Sequence, residues 1–206
     1  MGTLIEKAME RAIKAIKNND YDRAKAVKKY TIQVANLEET VRTSGMKILT
    51  TQQPVARDLR LVSVAFKISD HMLRIADQTY NVAEITKQLI GESVVQTPER
   101  LIEMGNKTIA MVKNAINSFV NLDIDGARAV IQADDEVDNI FVSVRDDLII
   151  LINENKKNGA QAIDYVMISK YMERIADYSV SISEQVIYYI TGTYPILEET
   201  EEDEEE

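Results

Sequence analysis

Apolar residues along two stretches of this chain recur in alternating steps of three and four. Ala65, Ile68, Met72, Ile75, Thr79, Val82, Thr86 and Leu89 mark the first stripe, and Tyr165, Ile168, Met172, Ile175, Ser179, Ile182, Val186 and Tyr189 the second. That period keeps one narrow face along one side of a long helix, as bundle packing requires. The stripes also share residues that packing does not demand. Arg74-Ile75-Ala76-Asp77 returns as Arg174-Ile175-Ala176-Asp177, with Ser69/Ser169 and Glu84/Glu184 beside them. The chain reads as a tandem duplication.

Breakers divide each half into one shorter and two long helices. Thr3-Leu4-Ile5-Glu6 has the form of a capping box opening the first helix. Asn18-Asn19-Asp20 interrupts the pattern before a second helix that runs to about Thr51, and Pro54 suits the first turn of a third. Gly91 and Gly192 stand where the long helices need a residue tolerant of the left-handed conformation. Thr97-Pro98 is expected to cap and start helix four; Asn121 to Gly126 separates it from helix five, and Asn155 to Gly159 separates five from six. A helix of roughly 32 residues would be about 48 Å long and needs neighbours to cover its apolar face. The expected fold is therefore all-α: two tandem three-helix bundles of long antiparallel helices, laid side by side with a continuous core. Residues 1–93 form the first repeat, 97–193 the second and 194–206 an acidic, disordered tail. The alternative is one continuous helical rod.

Composition agrees, since three prolines and seven glycines give little punctuation for short strands and many turns. The net charge of −10 is concentrated at one end: Glu198, Glu199, Glu201, Glu202, Asp203, Glu204, Glu205 and Glu206 carry eight negative charges and leave −2 on the rest. With no basic stripe to neutralise phosphates, direct nucleic-acid binding is not expected. Absence of cysteine excludes disulfides and thiolate metal sites. Charged residues within 1–16 break a signal-peptide core, Glu6 replaces the Ser or Thr of a myristoylation signal, and runs such as Leu148 to Ile152 are too short to insert in a membrane. A cytoplasmic protein is expected.

Catalytic inventories fail in turn. The single histidine, His71, has Tyr171 as its counterpart in the other repeat, and its plain reading is a partly exposed helix residue. The Glu-x-x-His pairs of a ferritin-like di-iron site are missing, because Ile68 stands three residues before His71. No Walker-type phosphate loop occurs. What remains is carboxylates at helical spacing: Asp134 with Asp138, and Glu173 with Asp177. Antiparallel helices would bring these pairs together as oxygen ligands for a hard or borderline divalent metal, or iron. Chance spacing on a solvated face gives the same pattern.

Gln52-Gln53-Pro54-Val55-Ala56-Arg57-Asp58-Leu59-Arg60, followed by Lys67-Ile68, the Arg74 to Asp77 run, Asn81 and Glu84, resembles the first repeat of the PhoU family. The second repeat matches through Met172 to Asp177 and Ile190-Thr191-Gly192, so the resemblance runs from about residue 3 to 193. It implies a duplicated three-helix architecture and a non-enzymatic regulator of phosphate uptake. Such a regulator is a cytoplasmic adaptor, peripheral at the inner face of the membrane through its partners. It restrains the phosphate-specific ABC transporter, through the ATPase subunit, and a membrane sensor histidine kinase when phosphate is plentiful. It also implies a homodimer, and metal clusters of iron, zinc or another divalent ion on Glu/Asp-x-x-x-Asp motifs, onto which Asp134, Asp138, Glu173 and Asp177 map.

The first repeat departs from that pattern. Leu73 replaces the glutamate and Thr31 and Ala35 replace the aspartates, which leaves Asp77 nearly alone, with Asp70 a weak substitute. A cluster is expected in the second repeat and not in the first. Arg74 and Arg174 are expected to pair with acidic neighbours or to hold helices in register. The Gln52 to Arg60 string has two roles open to it: Pro54, Asp58, Arg57 and Arg60 can fix a helix start, or Gln53, Arg57, Asp58 and Arg60 can form a charged docking turn. Storage or sensing of metal, and service to a different phosphate permease, are the alternative functions.

Overall fold

The computed structural model describes residues 1–90 and 97–195. The elements are α1 (Gly2–Asn18), α2 (Tyr21–Gln52), α3 (Ala56–Leu89), α4 (Glu99–Asn121), α5 (Ile124–Glu154), a 3-10 turn (Lys156–Asn158) and α6 (Gly159–Thr191). Among the described residues no helix is long and apolar enough to cross a membrane.

Equivalent turns join equivalent helices. Asn19 ends α1 in the left-handed conformation at φ 50°, and Asp20 then caps α2 by accepting a hydrogen bond from the Arg23 N–H. Leu122 (φ 54°) and Asp123, which accepts from the Gly126 N–H, do the same between α4 and α5. A shift of 103 positions thus relates the first two helices of each half, as Asp20 relates to Asp123.

The halves pack back to back. A methyl group at Gly2 would lie 3.2 Å from Ile116 and 3.8 Å from Met72, and one at Gly105 would overlap Ile13 and lie 3.4 Å from Met172. Each contact is the other carried through the duplication, so α1 and α4 cross about a pseudo-twofold axis. α3 and α6 run antiparallel beside them: the start of α3 meets the end of α6 where Arg60 donates to the Tyr189 carbonyl (3.3 Å), and their middles meet where the His71 and Tyr178 rings lie 5.9 Å apart. Among the described residues α2 packs only on α1 and α3, and α5 on α4, α6 and the 3-10 turn. The stripe residues Ile68, Met72, Ile75, Ile168, Met172 and Ile175 join Ile5, Leu101 and Met104 in one core spanning both halves. Two three-helix units side by side, rather than a rod, is the architecture.

Several helix starts differ from expectation. α1 begins at Gly2 with Met1 at the cap position and no side-chain cap, two residues ahead of the Thr3–Glu6 box, because Gly2 is already packed against α4. Pro54 precedes α3 by two residues and Val55 holds its cap position; Gln53 (φ 46°) and Ala56 (φ 49°) take left-handed conformations around them. Asp58 does lie in the first turn of α3. Thr97 does not cap α4: Pro98 occupies that position, and the Thr97 hydroxyl pairs with the Tyr165 hydroxyl at 3.2 Å. Gly192 ends α6 at φ 88°. Gly91 and the acidic run from Glu198 to Glu206 lie outside the described residues.

Candidate metal centre and docking tip

Asp134 and Asp138 stand on α5, Glu173 and Asp177 on α6, and the four carboxylates lie near enough to perturb one another. Burial, and then the charges of Asp138, Asp177, Asp135 and Glu173, push the Asp134 carboxyl up to about 6. Asp138 and Asp177 are also raised, first by burial and then by Glu173. One oxygen of Asp134, Oδ1, is buried without a hydrogen-bond partner. The Lys170 ammonium pairs with Glu173, lies 5.5 Å from the centre of the Phe141 ring, and works against the rise at Asp138 and Asp177.

In kind, this donor set fits a hard divalent cation: oxygen ligands only, mutually repelling, with Asp134 Oδ1 and Glu173 Oε2 both buried without a hydrogen bond and only the latter facing an ammonium. The donors are close without being converged, and no group of three or more Asp, Glu or His side chains among the described residues is gathered closely enough to hold an ion as it stands.

The equivalent place in the first half does not fit. Thr31 donates to the Ala76 carbonyl across the α2–α3 seam at 3.4 Å, and Leu73 packs against the core. Asp70 is taken by Arg74 at 2.8 Å. Asp77 alone is raised by burial, partly offset by Arg74. Nearby Glu38 is only 5% exposed and is held by Arg42 at 2.9 Å, a buried charge that is paired rather than open. Arg74 pairs with an acidic neighbour as expected, whereas Arg174 lies 6.0 Å from the Tyr171 ring centre instead. His71 is half-buried, its Nδ1 lacks a partner, and burial lowers its pKa.

The Gln52 to Arg60 string forms the turn between α2 and α3 and does two things at once. Arg60 stacks on the end of α6: besides its bond to the Tyr189 carbonyl, a methyl group at Gly192 would lie 2.9 Å from its Nη2, so a guanidinium covers the negative end of that helix. Arg57 lies over the Tyr189 ring at 5.9 Å while remaining exposed, as do Gln53 and Asp58. The surroundings are cationic. Among the described residues no carboxylate pairs with Lys47, Arg57, Arg60 or Lys67. Val55, Leu59 and Met46 are exposed at 75%, 47% and 50% between them. Towards the opposite end, Arg145 pairs with Asp146 and Arg100 with Asp147, whereas no carboxylate among the described residues pairs with Lys156 or Lys157 of the turn between α5 and α6. Lys47 was not marked by the sequence motif, since its part in the tip depends on α2 and α3 lying side by side.

The sequence pattern of the PhoU domain matches residues 1–86 and again 101–186. A phosphate-specific transport system accessory protein PhoU homolog of Clostridium acetobutylicum is 28% identical, the match covering 93% of this chain and 88% of that protein. The crystal structure of PhoU from Pseudomonas aeruginosa superposes with a TM-score of 0.88 at 30% identity, covering 94% of this chain and 93% of that one. The phosphate transport system regulatory protein PhoU from Streptococcus pneumoniae shares the fold, with a TM-score of 0.85 at 22% identity over 95% and 92% of the two chains.

Proposed function

The chain belongs to the PhoU family, and from that premise we propose that it is a non-enzymatic regulator of phosphate uptake, an adaptor that binds the ATPase subunit of a phosphate ABC transporter and a membrane sensor histidine kinase. Two PhoU domains spanning nearly the whole chain carry this proposal, together with relatives whose names place them in phosphate transport. The regulator acts at the cytoplasmic side of the membrane, as a homodimer. Its mechanism is differential binding: a surface that grips one conformational state of the ATPase more tightly than another shifts the population towards it. A tenfold preference needs about 1.4 kcal/mol, within the reach of a few interface contacts.

The cationic tip between α2 and α3 is the docking face in this proposal, because its charges are uncompensated and its apex is apolar. The test is the affinity of the purified ATPase subunit for the immobilised chain. Arg57→Glu with Lys47→Glu is expected to weaken capture at least tenfold, and Lys157→Glu at the opposite turn to leave it unchanged. Absence of any affinity in the unaltered chain would refute the adaptor.

A divalent metal in the second repeat is the second element proposed, favoured by the orphaned Asp134 oxygen and the mutual repulsion of its neighbours. Asp134, Asp138, Glu173 and Asp177 would hold it. When bound, such an ion supplies positive charge that offsets this repulsion and ties α5 to α6. Metal storage or sensing as the function in itself is separated by Glu173→Ala with Asp177→Ala: an adaptor keeps partner capture, whereas a store loses its activity altogether.

A further inference from the structure

We propose that Lys170 is a tethered counter-ion of the second-repeat carboxylates, competing with divalent metal for them, so that loading this site exchanges an ammonium group for an ion. The inference rests on the metal element of the proposed function and concerns what the chain does before metal arrives.

Three observations place Lys170 in this role. Its ammonium pairs with Glu173, one of the four candidate ligands, and its charge reaches Asp138 and Asp177, one on each helix of the pair. The Phe141 ring on α5 lies 5.5 Å from the ammonium, so a cation–π contact helps to hold the lysine across the α5–α6 seam. The lysine occurs only in the half that carries the carboxylates. Position 70, its equivalent, is an aspartate bound to Arg74, and position 73, the equivalent of Glu173, is a leucine.

The geometry also allows the exchange. The Lys170 side chain is 43% exposed and that of Glu173 17%, so the ammonium can return to water along its flexible stem while the carboxylate stays at the seam. While it remains, it occupies the Glu173 carboxylate. A monovalent charge of this kind steadies the metal-free protein and leaves the cluster still strongly negative. A divalent ion therefore displaces it, but at reduced affinity.

The experiment is calorimetric titration of the EDTA-stripped full chain with Mn²⁺ and, separately, Zn²⁺ at pH 7, with thermal unfolding measured alongside. Lys170→Met keeps the stem and removes the charge. It is expected to bind at least tenfold more tightly than the unaltered chain and to unfold at a lower temperature when metal-free, the difference closing once Mn²⁺ is added. Lys170→Gln should behave in the same direction, and Glu173→Gln should abolish tight binding in either background. Equal affinity in Lys170→Met overturns the proposal, as does weaker affinity, which would make the lysine a support for Glu173. Absence of binding to every form at millimolar ion refutes the metal element itself and the competition with it, an outcome distinct from the other two.

Discussion

Removing one negative charge from the centre of the second-repeat cluster should stabilise the metal-free protein, and only above a defined pH. Asp134→Asn keeps the shape of the side chain and abolishes its ionisation. The carboxyl holds its proton up to about 6 in the folded chain, against an ordinary value of 3.8. The folded state therefore binds more protons than the unfolded state between these limits, and stability falls as pH rises through that window and stays reduced above it. The full displacement corresponds to about 3 kcal/mol. Asp134 is only partly buried, and solvent screens part of the repulsion, so about 1–2 kcal/mol is the expected gain for the asparagine variant at pH 8. Denaturant unfolding in EDTA at pH 8 and pH 4 measures it: the difference between variant and parent should be near zero at pH 4 and reach its full size at pH 8. A variant less stable than the parent at pH 8, or one equally displaced at both pH values, would show that the carboxylates do not repel as described. Adding Mn²⁺ at pH 8 should then favour the parent, since ligand that binds only the folded form stabilises it in proportion to site affinity.

Gly45→Ala should destabilise, although alanine in a helix interior normally gains about 1 kcal/mol over glycine. A Cβ there would overlap the Phe66 ring and lie 3.3 Å from Val62, so α2 must move off α3 at an overpacking cost of about 1–3 kcal/mol, read from the denaturant midpoint; a rise in the midpoint would show that Phe66 swings aside freely. Asp123→Ala removes the side-chain acceptor of the Gly126 N–H (3.0 Å) at the start of α5 and should lower stability by about 1 kcal/mol in thermal unfolding, with Asp123→Asn restoring most of it.

Much of the fold was legible because its signals are local. The alternating steps of three and four selected residues that are buried in both copies, among them Met72 and Met172, and the Asn-Asp turn at Asn19-Asp20 ends one helix and caps the next through its own side chain. The helix starts that were misread failed where a distant residue intervened. Thr97 has the composition of a cap, yet its hydroxyl pairs with Tyr165, far along the chain, and backbone groups alone start α4. Gly2 is drawn into α1 by its approach to Ile116. How α1 and α4 cross left no periodic trace, because it depends on two small residues, Gly2 and Gly105, that admit the side chains of the opposite repeat. The carboxylate pairs were visible from their spacing of four. Lys170, three residues before Glu173, could not be told from any solvated lysine until Phe141 was seen beneath it.

The duplication diverged where packing leaves it free to do so. Ile68, Ile75 and Ala76 and their counterparts Ile168, Ile175 and Ala176 are buried in both halves, since each pair must fill the same volume in a shared core. The outward seams bear no such constraint. In the first half Thr31 donates to the Ala76 carbonyl across the α2–α3 seam, and the neighbouring charges are answered within their own helices, Glu38 by Arg42 and Asp70 by Arg74. In the second, the positions of Thr31, Ala35 and Leu73 carry Asp134, Asp138 and Glu173, which repel one another and leave Asp134 Oδ1 without a partner. Uncompensated charge of this kind destabilises a fold unless a counter-charge answers it. The first half thus answers its own charges, while under the proposed function the second would take its counter-charge from Lys170 or from a divalent ion. Under that proposal α5 and α6 would respond to a divalent ion, while α2 and α3, whose equivalent positions are Thr31, Ala35 and Leu73, would not.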